Sequence, residues 1–219
     1  SKISLIFYWV FFAVLNLKAS EYEITVLATN TANFGGIGEW SFSALLESDD
    51  EKILFDTGFN ENTVLHNANL LGKDLSQVEK VILSHFHGDH TGGLIKLRKT
   101  FKEINPKAFS TVYVADGFFE QRYDENGELR GFIGGFNDVD NFLKETDDLG
   151  IRFVILKEPI EISKNLYLSG TVERIHERVV VSPGFYLKKD GLLLDDLVLD
   201  DQSLGILTKQ GWYLSLIHI

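Results

Sequence analysis

The chain has 219 residues, 44% of them hydrophobic and 24% charged, enough for one large domain or two small ones with a real core. Its formal net charge of −11 argues against a nucleic-acid partner held by phosphate neutralisation. With no cysteine in the chain, disulfides, thiolate metal sites and cysteine nucleophiles are excluded.

Residues 2–20 read KISLIFYWVFFAVLNLKAS: one lysine, an apolar run from Ile3 to Val14, then a short polar stretch ending in Ala19 and Ser20. This is the layout of a secretory signal peptide, with 1–19 expected to be cut after Ala19 and the protein expected to be periplasmic or secreted. A buried N-terminal strand or helix is the alternative. The run is short for a transmembrane helix, which needs about 20 residues. No cysteine follows to carry a lipid, so no stable membrane anchor is expected. The chain opens on Ser1 and contains no methionine, so its start is expected to be clipped or incompletely sequenced.

From residue 20 onward short strands and helices alternate. Residues 21–29 read as a strand and 30–40 as a glycine-rich loop. Residues 41–48 and 52–58 form a hairpin around the acidic turn 49–51. The spacing of Val64, Leu65, Ala68 and Leu71 predicts a helix over 60–72, stopped by Gly72. The apolar run 78–84 is a strand buried on both faces, followed by a helix over 92–101. Residues 111–116 and 152–157 are strands. The stretch 117–150 reads as loop-rich, with a hairpin or an insertion, and GFIGGF (131–136) as a mobile loop lacking the Lys-Ser/Thr of a phosphate loop. The simplest reading is one αβ domain over 20–213, with a mixed sheet covered by helices.

The chemistry lies in SHFHGDHTGG, residues 84–93. Three of the six histidines fall in a six-residue window after a buried strand, where open αβ sheets place their sites. His85 and His87 are two apart, so both imidazoles can reach the same side. Asp89 and His90 are adjacent and diverge from that pair, which suits a second metal. Imidazole and carboxylate are good ligands for Zn2+. Thr91, Gly92 and Gly93 are expected to let the chain turn sharply and start a helix. The bland alternative is a polar surface loop that happens to be rich in histidine. Upstream, Asp56 in LFDTG ends an apolar strand, and its carboxylate could accept a hydrogen bond from the metal loop and orient a ligand histidine. Asp-Thr-Gly also surrounds the catalytic aspartate of aspartic proteases, but no second copy exists here to share a proton.

ILFDTG followed some thirty residues on by VILSHFHGDHTGG resembles the metallo-β-lactamase fold superfamily. The wider text from GIGEW to GGLIKLR, with its Asn67–Ala68 pair, resembles the branch around a dihydropterin ribofuranosyl-aminobenzene phosphate synthase. LSGTVER (168–174) resembles that branch's Thr-Gly-x-x-Pro-Arg element; Gly170 and Arg174 fit, and Glu173 stands in place of proline. DDQSLGILTKQG (200–211) resembles the segment before its Gly-Cys-(Ser/Gly)-His motif. The resemblance runs from about residue 22 to 213. It implies a four-layer αβ/βα sandwich, an α/β (α+β) fold, here incomplete at its C-terminus. It implies two zinc ions, with iron or manganese as possible substitutes, bound by His85 and His87 on one side and Asp89 and His90 on the other. A metal-bridged hydroxide, its pKa lowered towards about 7, would be the nucleophile. Asp89 would also serve catalysis by orienting it. The reaction would hydrolyse an ester, lactone, amide or phosphoester of a small molecule, with no nucleic acid involved and the oligomeric state open. The alternatives are iron-dependent redox chemistry on the same scaffold and a non-catalytic metal- or ligand-binding relative.

The remaining ligands are harder to find. His66 reads as a surface or helix-packing residue. Arg174 and His176 are candidate substrate contacts or later ligands, and a plain solvated position is the alternative for His176. Among Asp195, Asp196, Asp200 and Asp201, a solvated acidic loop is the bland reading, and Asp201 is the candidate ligand. Trp40 is either an apolar contact at the rim or a packing residue. His218 stands where a late ligand would be wanted, but LSLIHI is the translation of CTG-TCT-CTT-ATA-CAC-ATC, the end of a common transposase sequencing adapter. Residues 214–219 are therefore expected to be adapter read-through, and the chain a fragment that is inactive by itself.

Overall fold

The computed structural model describes residues 22–131, 133–172 and 182–215. The expected signal segment 1–19 and the candidates Arg174, His176 and His218 lie outside the described residues.

Six strands make the first sheet, in the order β1 (Glu23–Ala28), β2 (Ser43–Glu47), β3 (Lys52–Phe55), β4 (Val78–Ile82), β5 (Thr111–Ala115) and β7 (Arg152–Leu156). The first three pair antiparallel as a meander, while β3, β4, β5 and β7 run parallel. Parallel neighbours need crossovers, and helices supply them. They are α1 (Thr63–Leu70), then α2 (Gly88–Thr91) with α3 (Leu94–Phe101), and α4 (Val139–Asp148). A second sheet has the order β13 (Gly211–Ser215), β12 (Leu204–Thr208), β9 (Leu166–Leu168) and β8 (Ile160–Ser163), all antiparallel. A small third sheet joins β11 (Leu192–Asp195), β10 (Tyr186–Lys189) and β6 (Arg122–Tyr123).

The middle strands of the first sheet, β2 to β5, are buried on both faces, and their alternation shows how. Leu45, Leu54, Val81, Val112 and Val114 join one core with Val64 and Ala68 of α1, Leu94 and Leu97 of α3 and Phe142 of α4. Their neighbours Leu46, Ile53, Phe55 and Ile82 join a second core with Leu166, Leu168, Leu204 and Ile206 of the second sheet. Helices, sheet and sheet are thus three layers of the expected sandwich. Among the described residues no helix covers the outer face of the second sheet, and none is long and apolar enough to cross a membrane.

Two expectations change. Residues 139–148 form α4, not part of a loop-rich stretch. Asp138 caps it by accepting from the Asp140 amide, and Val139, Phe142 and Thr146 make its buried face. The GFIGGF segment does not stand free. Ile133 is fully buried in the first core, and the Gly134 amide donates to Thr91 Oγ1 at 2.8 Å.

Candidate metal centre

The site forms at the carboxyl ends of β3 and β4, where both strands are interrupted for a physical reason. At the end of β3, Asp56 adopts φ +55°, a left-handed conformation that costs an L-residue roughly 1–2 kcal/mol and that aspartate tolerates better than most. Three hydrogen bonds hold it there: Asp56 N to Ile82 O, Ser43 Oγ to Asp56 O, and Thr57 N of the next residue to His90 O. After β4 the chain bends through 84–86 to His87, whose carbonyl then accepts from the His90 and Thr91 amides and starts α2.

The glycines after this turn have a different role from the one their sequence suggests. Gly92 and Gly93 have ordinary negative φ, −62° and −82°. A Cβ on Gly92 would lie 1.9 Å from Phe59 O, and one on Gly93 would lie 2.2 Å from Thr57 O. They are glycines so that two backbones can touch, not so that the chain can turn. The Gly92 amide donates to Gly58 O at 2.9 Å, and Thr57 donates through both its amide and Oγ1 to His90 O. LFDTG and SHFHGDHTGG are therefore one interlocked unit.

His85, His87 and Asp89 each present a ligand atom within 4.8 Å of the others. The His85 ring packs 4.5 Å from that of His87 and 4.3 Å from that of His90, centroid to centroid. His90 Nε2 lies 3.5 Å from Asp89 Oδ2. Asp89 thus stands between the two halves of the cluster and does not diverge from His85 and His87 as its adjacency to His90 suggested. The reason is α2, whose first turn swings Asp89 back over the loop.

Asp56, the expected orienting carboxylate, lies beneath the cluster and bonds one of its histidines. It is fully buried and accepts from Ser84 N at 2.7 Å, Ser84 Oγ at 2.8 Å and His90 Nδ1 at 2.7 Å. A carboxylate only accepts, so the Nδ1 proton of His90 is fixed and its Nε2 is the nitrogen turned towards Asp89. Burial disfavours the His90 imidazolium, but Asp56, and behind it Asp89 and Asp201, more than offset this and raise its pKa. Burial pushes the Asp89 carboxyl up, with His90 opposing. These groups concentrate negative potential where a cation would sit.

Sequence reasoning missed three partners. Ser182 Oγ lies 2.9 Å from His87 Nε2. Gln202 donates to Leu83 O and Tyr113 O, which docks the 200–202 segment on the end of β4. The third is Arg122, 2% exposed, which donates to Asp196 Oδ2 at 3.1 Å and Asp200 Oδ1 at 2.7 Å and covers the Phe86 ring at 3.7 Å. Asp200 Oδ2 in turn accepts the Phe86 amide at 2.9 Å, between His85 and His87 in the chain. The acidic loop is thus not solvated. Asp196, Asp200 and Asp201 are all buried, because Arg122 neutralises the first two, and only Asp195 faces water. An Asp-rich run gives no sign of a cation waiting 74 residues upstream. His66 is exposed, its Nε2 2.7 Å from Gly35 O, and takes no part in the centre.

This fold and donor cluster define a class, and the chain belongs to it: residues 41–184 match the Metallo-beta-lactamase superfamily. It is 29% identical over 205 residues to a Methanocaldococcus jannaschii protein named 7,8-dihydropterin-6-methyl-4-(beta-D-ribofuranosyl)-aminobenzene-5'-phosphate synthase, covering 89% of this chain and 66% of that one. An uncharacterized protein of the same organism is 32% identical over 199 residues, covering 90% of this chain and 72% of the relative. The crystal structure of Tm1679, described as a metal-dependent hydrolase of the beta-lactamase superfamily, superposes with a TM-score of 0.64 at 28% identity. That match covers 89% of this chain and 64% of that one. The chain thus spans about two thirds of the length of the first of these relatives.

Proposed function

We propose that the chain is part of a metal-dependent hydrolase of small molecules, acting on an ester, lactone, amide or phosphoester, with zinc as the resident metal and iron or manganese as the alternatives. One observation carries the reading: His85, His87 and Asp89 converge within 4.8 Å, with His90 beside them held by Asp56. Two imidazoles and a carboxylate are a donor set that zinc accepts, and imidazoles that each have one nitrogen engaged by a serine hydroxyl, as His85 and His87 do, fit a metal better than a proton relay. When bound, the metal would lower the pKa of water and polarise the substrate oxygen under attack. The chain's own part is to orient. Asp56 holds His90, Ser84 Oγ lies 3.0 Å from His85 Nδ1, and Asp89 reaches both halves of the cluster. A small-molecule substrate suits the pocket, and the apolar run of 3–14 supports a periplasmic or secreted location.

Zinc titration by calorimetry tests the metal, and turnover of an ester, lactone and phosphodiester panel tests the chemistry. His85→Ala and His87→Ala are each expected to abolish the tightest zinc site. Zinc binding indifferent to both substitutions sinks the reading. A synthase is the second reading, favoured by the 29% identical relative that bears that name. Zinc binding without turnover of any member of the panel would favour it.

A further inference from the structure

We propose that Glu39 is a positioning residue: its carboxylate sets an apolar wall of Trp40 and Phe59 beside the metal centre, and the wall takes an apolar or aromatic part of the substrate. The inference rests on the hydrolase reading for the bond to be broken, but not for the binding.

A cleft of about 550 Å3 is lined by Trp40, Phe59, His87 and Asp89. Among the described residues that line it, His87 and Asp89 are donors of the cluster, so whatever fills the cleft meets the reacting centre. Trp40 and Phe59 are large aromatics left open to solvent, at 78% and 56%. Exposed aromatic pairs continuous with a polar centre are the composition of a ligand site, with apolar area for affinity and a few polar groups for orientation.

The two aromatics come from different loops, nineteen positions apart, and one carboxylate joins them. Glu39 precedes Trp40 in the chain. Its Oε1 accepts the Phe59 amide at 2.7 Å and Ser41 Oγ at 2.7 Å. Its Oε2 accepts the Asn60 amide at 3.1 Å and Thr63 Oγ1 at 2.8 Å. Four donors on one carboxylate are far more than a loop residue needs for solubility, and two of them are the amides of Phe59 and its neighbour. Gly58 makes room for the arrangement: at φ +75°, a Cβ there would lie 2.9 Å from Glu39 Oε1. The glycine of Asp-Thr-Gly thus admits the carboxylate that spaces the wall. Behind it, Asn67 bonds the Ile37 amide and carbonyl and Leu27 O, so the 30–40 loop is strapped to α1 at a second point. The wall is built before a ligand arrives, which lowers the ordering cost of binding.

The test is calorimetric binding of octanoate and of acetate to the zinc-loaded chain and to its Glu39→Gln and Trp40→Ala variants. The two probes share a carboxylate head and differ only in the tail. Octanoate is expected to bind at least about tenfold more tightly than acetate, as burial of several methylenes predicts. Glu39→Gln should weaken octanoate about fivefold, the scale of one or two lost hydrogen bonds, and leave acetate and zinc affinity unchanged. Octanoate and acetate binding alike, or octanoate indifferent to Glu39→Gln, overturns the proposal. So does an equal loss for octanoate, acetate and zinc, which makes Glu39 a support of the fold alone. Should Glu39→Gln not fold, Trp40→Ala, which leaves the carboxylate in place, must still erase the preference for octanoate. Octanoate preference with no turnover of any ester or lactone would fail the hydrolase reading and leave the wall standing.

Discussion

The two ends of the first sheet hold charge in opposite ways. At the amino ends of β3 and β4, Lys52, Lys73 and Lys80 pair with Glu47, Glu23 and Glu51 at 2.6–3.0 Å, all within reach of water. At the carboxyl ends, Asp56, His85, His90, Arg122, Asp196 and Asp200 are almost wholly out of water, and each is met by several partners. The pairs at the first end gain little, since solvent screens them and ordering long side chains opposes them. The network at the second end is not an economical source of stability either, because desolvation consumes much of its attraction. It has become necessary: once buried, each charge depends on every partner it has. The same sheet is tolerant at one end and brittle at the other, and the brittle end is the one that carries the candidate metal centre.

Breaking a pair at each end should separate the two most strongly. Arg122→Ala leaves Asp196 and Asp200 buried without their cation, and burial already pushes the Asp200 carboxyl up against the pull of Arg122. A loss of about 3–5 kcal/mol is expected. Lys80→Ala, which frees a Glu51 in contact with water, should cost less than about 1 kcal/mol. Urea unfolding of both variants measures this, and similar losses would dissolve the contrast. Gly93→Ala comes next. Its Cβ would press on Thr57 O and force the two motifs apart, a cost of about 1–3 kcal/mol or more. Gly72→Ala, with nothing within 4 Å of the new Cβ, should show only the mild penalty of its φ of +68°.

Asp56→Asn sharpens the comparison in another currency. Asparagine keeps the left-handed backbone and the volume but loses the charge that His90 Nδ1 and Ser84 both address. Zinc affinity is expected to fall about 10–100-fold. Calorimetry on the folded variant reads it, and an unchanged affinity would make Asp56 a scaffold residue only.

What the sequence disclosed divides along the same line. The parallel core was legible because Val81, Ile82 and Leu83 have no polar alternation and Val64, Leu65 and Ala68 have a helical one. The cluster of His85, His87 and Asp89 was legible because a candidate metal centre needs particular residue types at close spacing. Long-range complementarity was not legible. Nothing in the text around Arg122 points to Asp196 or Asp200, and Glu39 reads as an ordinary loop acid until Phe59, Asn60 and Thr63 are folded against it. α4 was lost for a local reason: the glycines of 131–135 next to it outweigh an apolar face of only a few residues. The backbone contacts at Gly92 and Gly93 were seen as glycines and misread as turns, since spacing alone does not tell a bend from a close approach.

The smallest effect belongs to the solvent end and to pH. Burial tends to raise the Glu51 carboxyl, but hydrogen bonds from Lys80, Ser163 and Tyr22 with the Lys80 charge outweigh it, and the pKa lies below its ordinary 4.5. The unfolded chain therefore takes up this proton first as pH falls. The contribution to stability is complete above the ordinary value and disappears as pH drops through the lowered folded one. Lys80→Met removes the main cause of the lowering. The urea midpoints of the two proteins should differ at about pH 6 and converge towards about pH 3. The gap should stay below about 1 kcal/mol, because both partners are partly solvated. A gap that widens on acidification would mean that Glu51 is held protonated in the fold. The amino end of the sheet would then be desolvated like the carboxyl end, and the contrast between them would be lost.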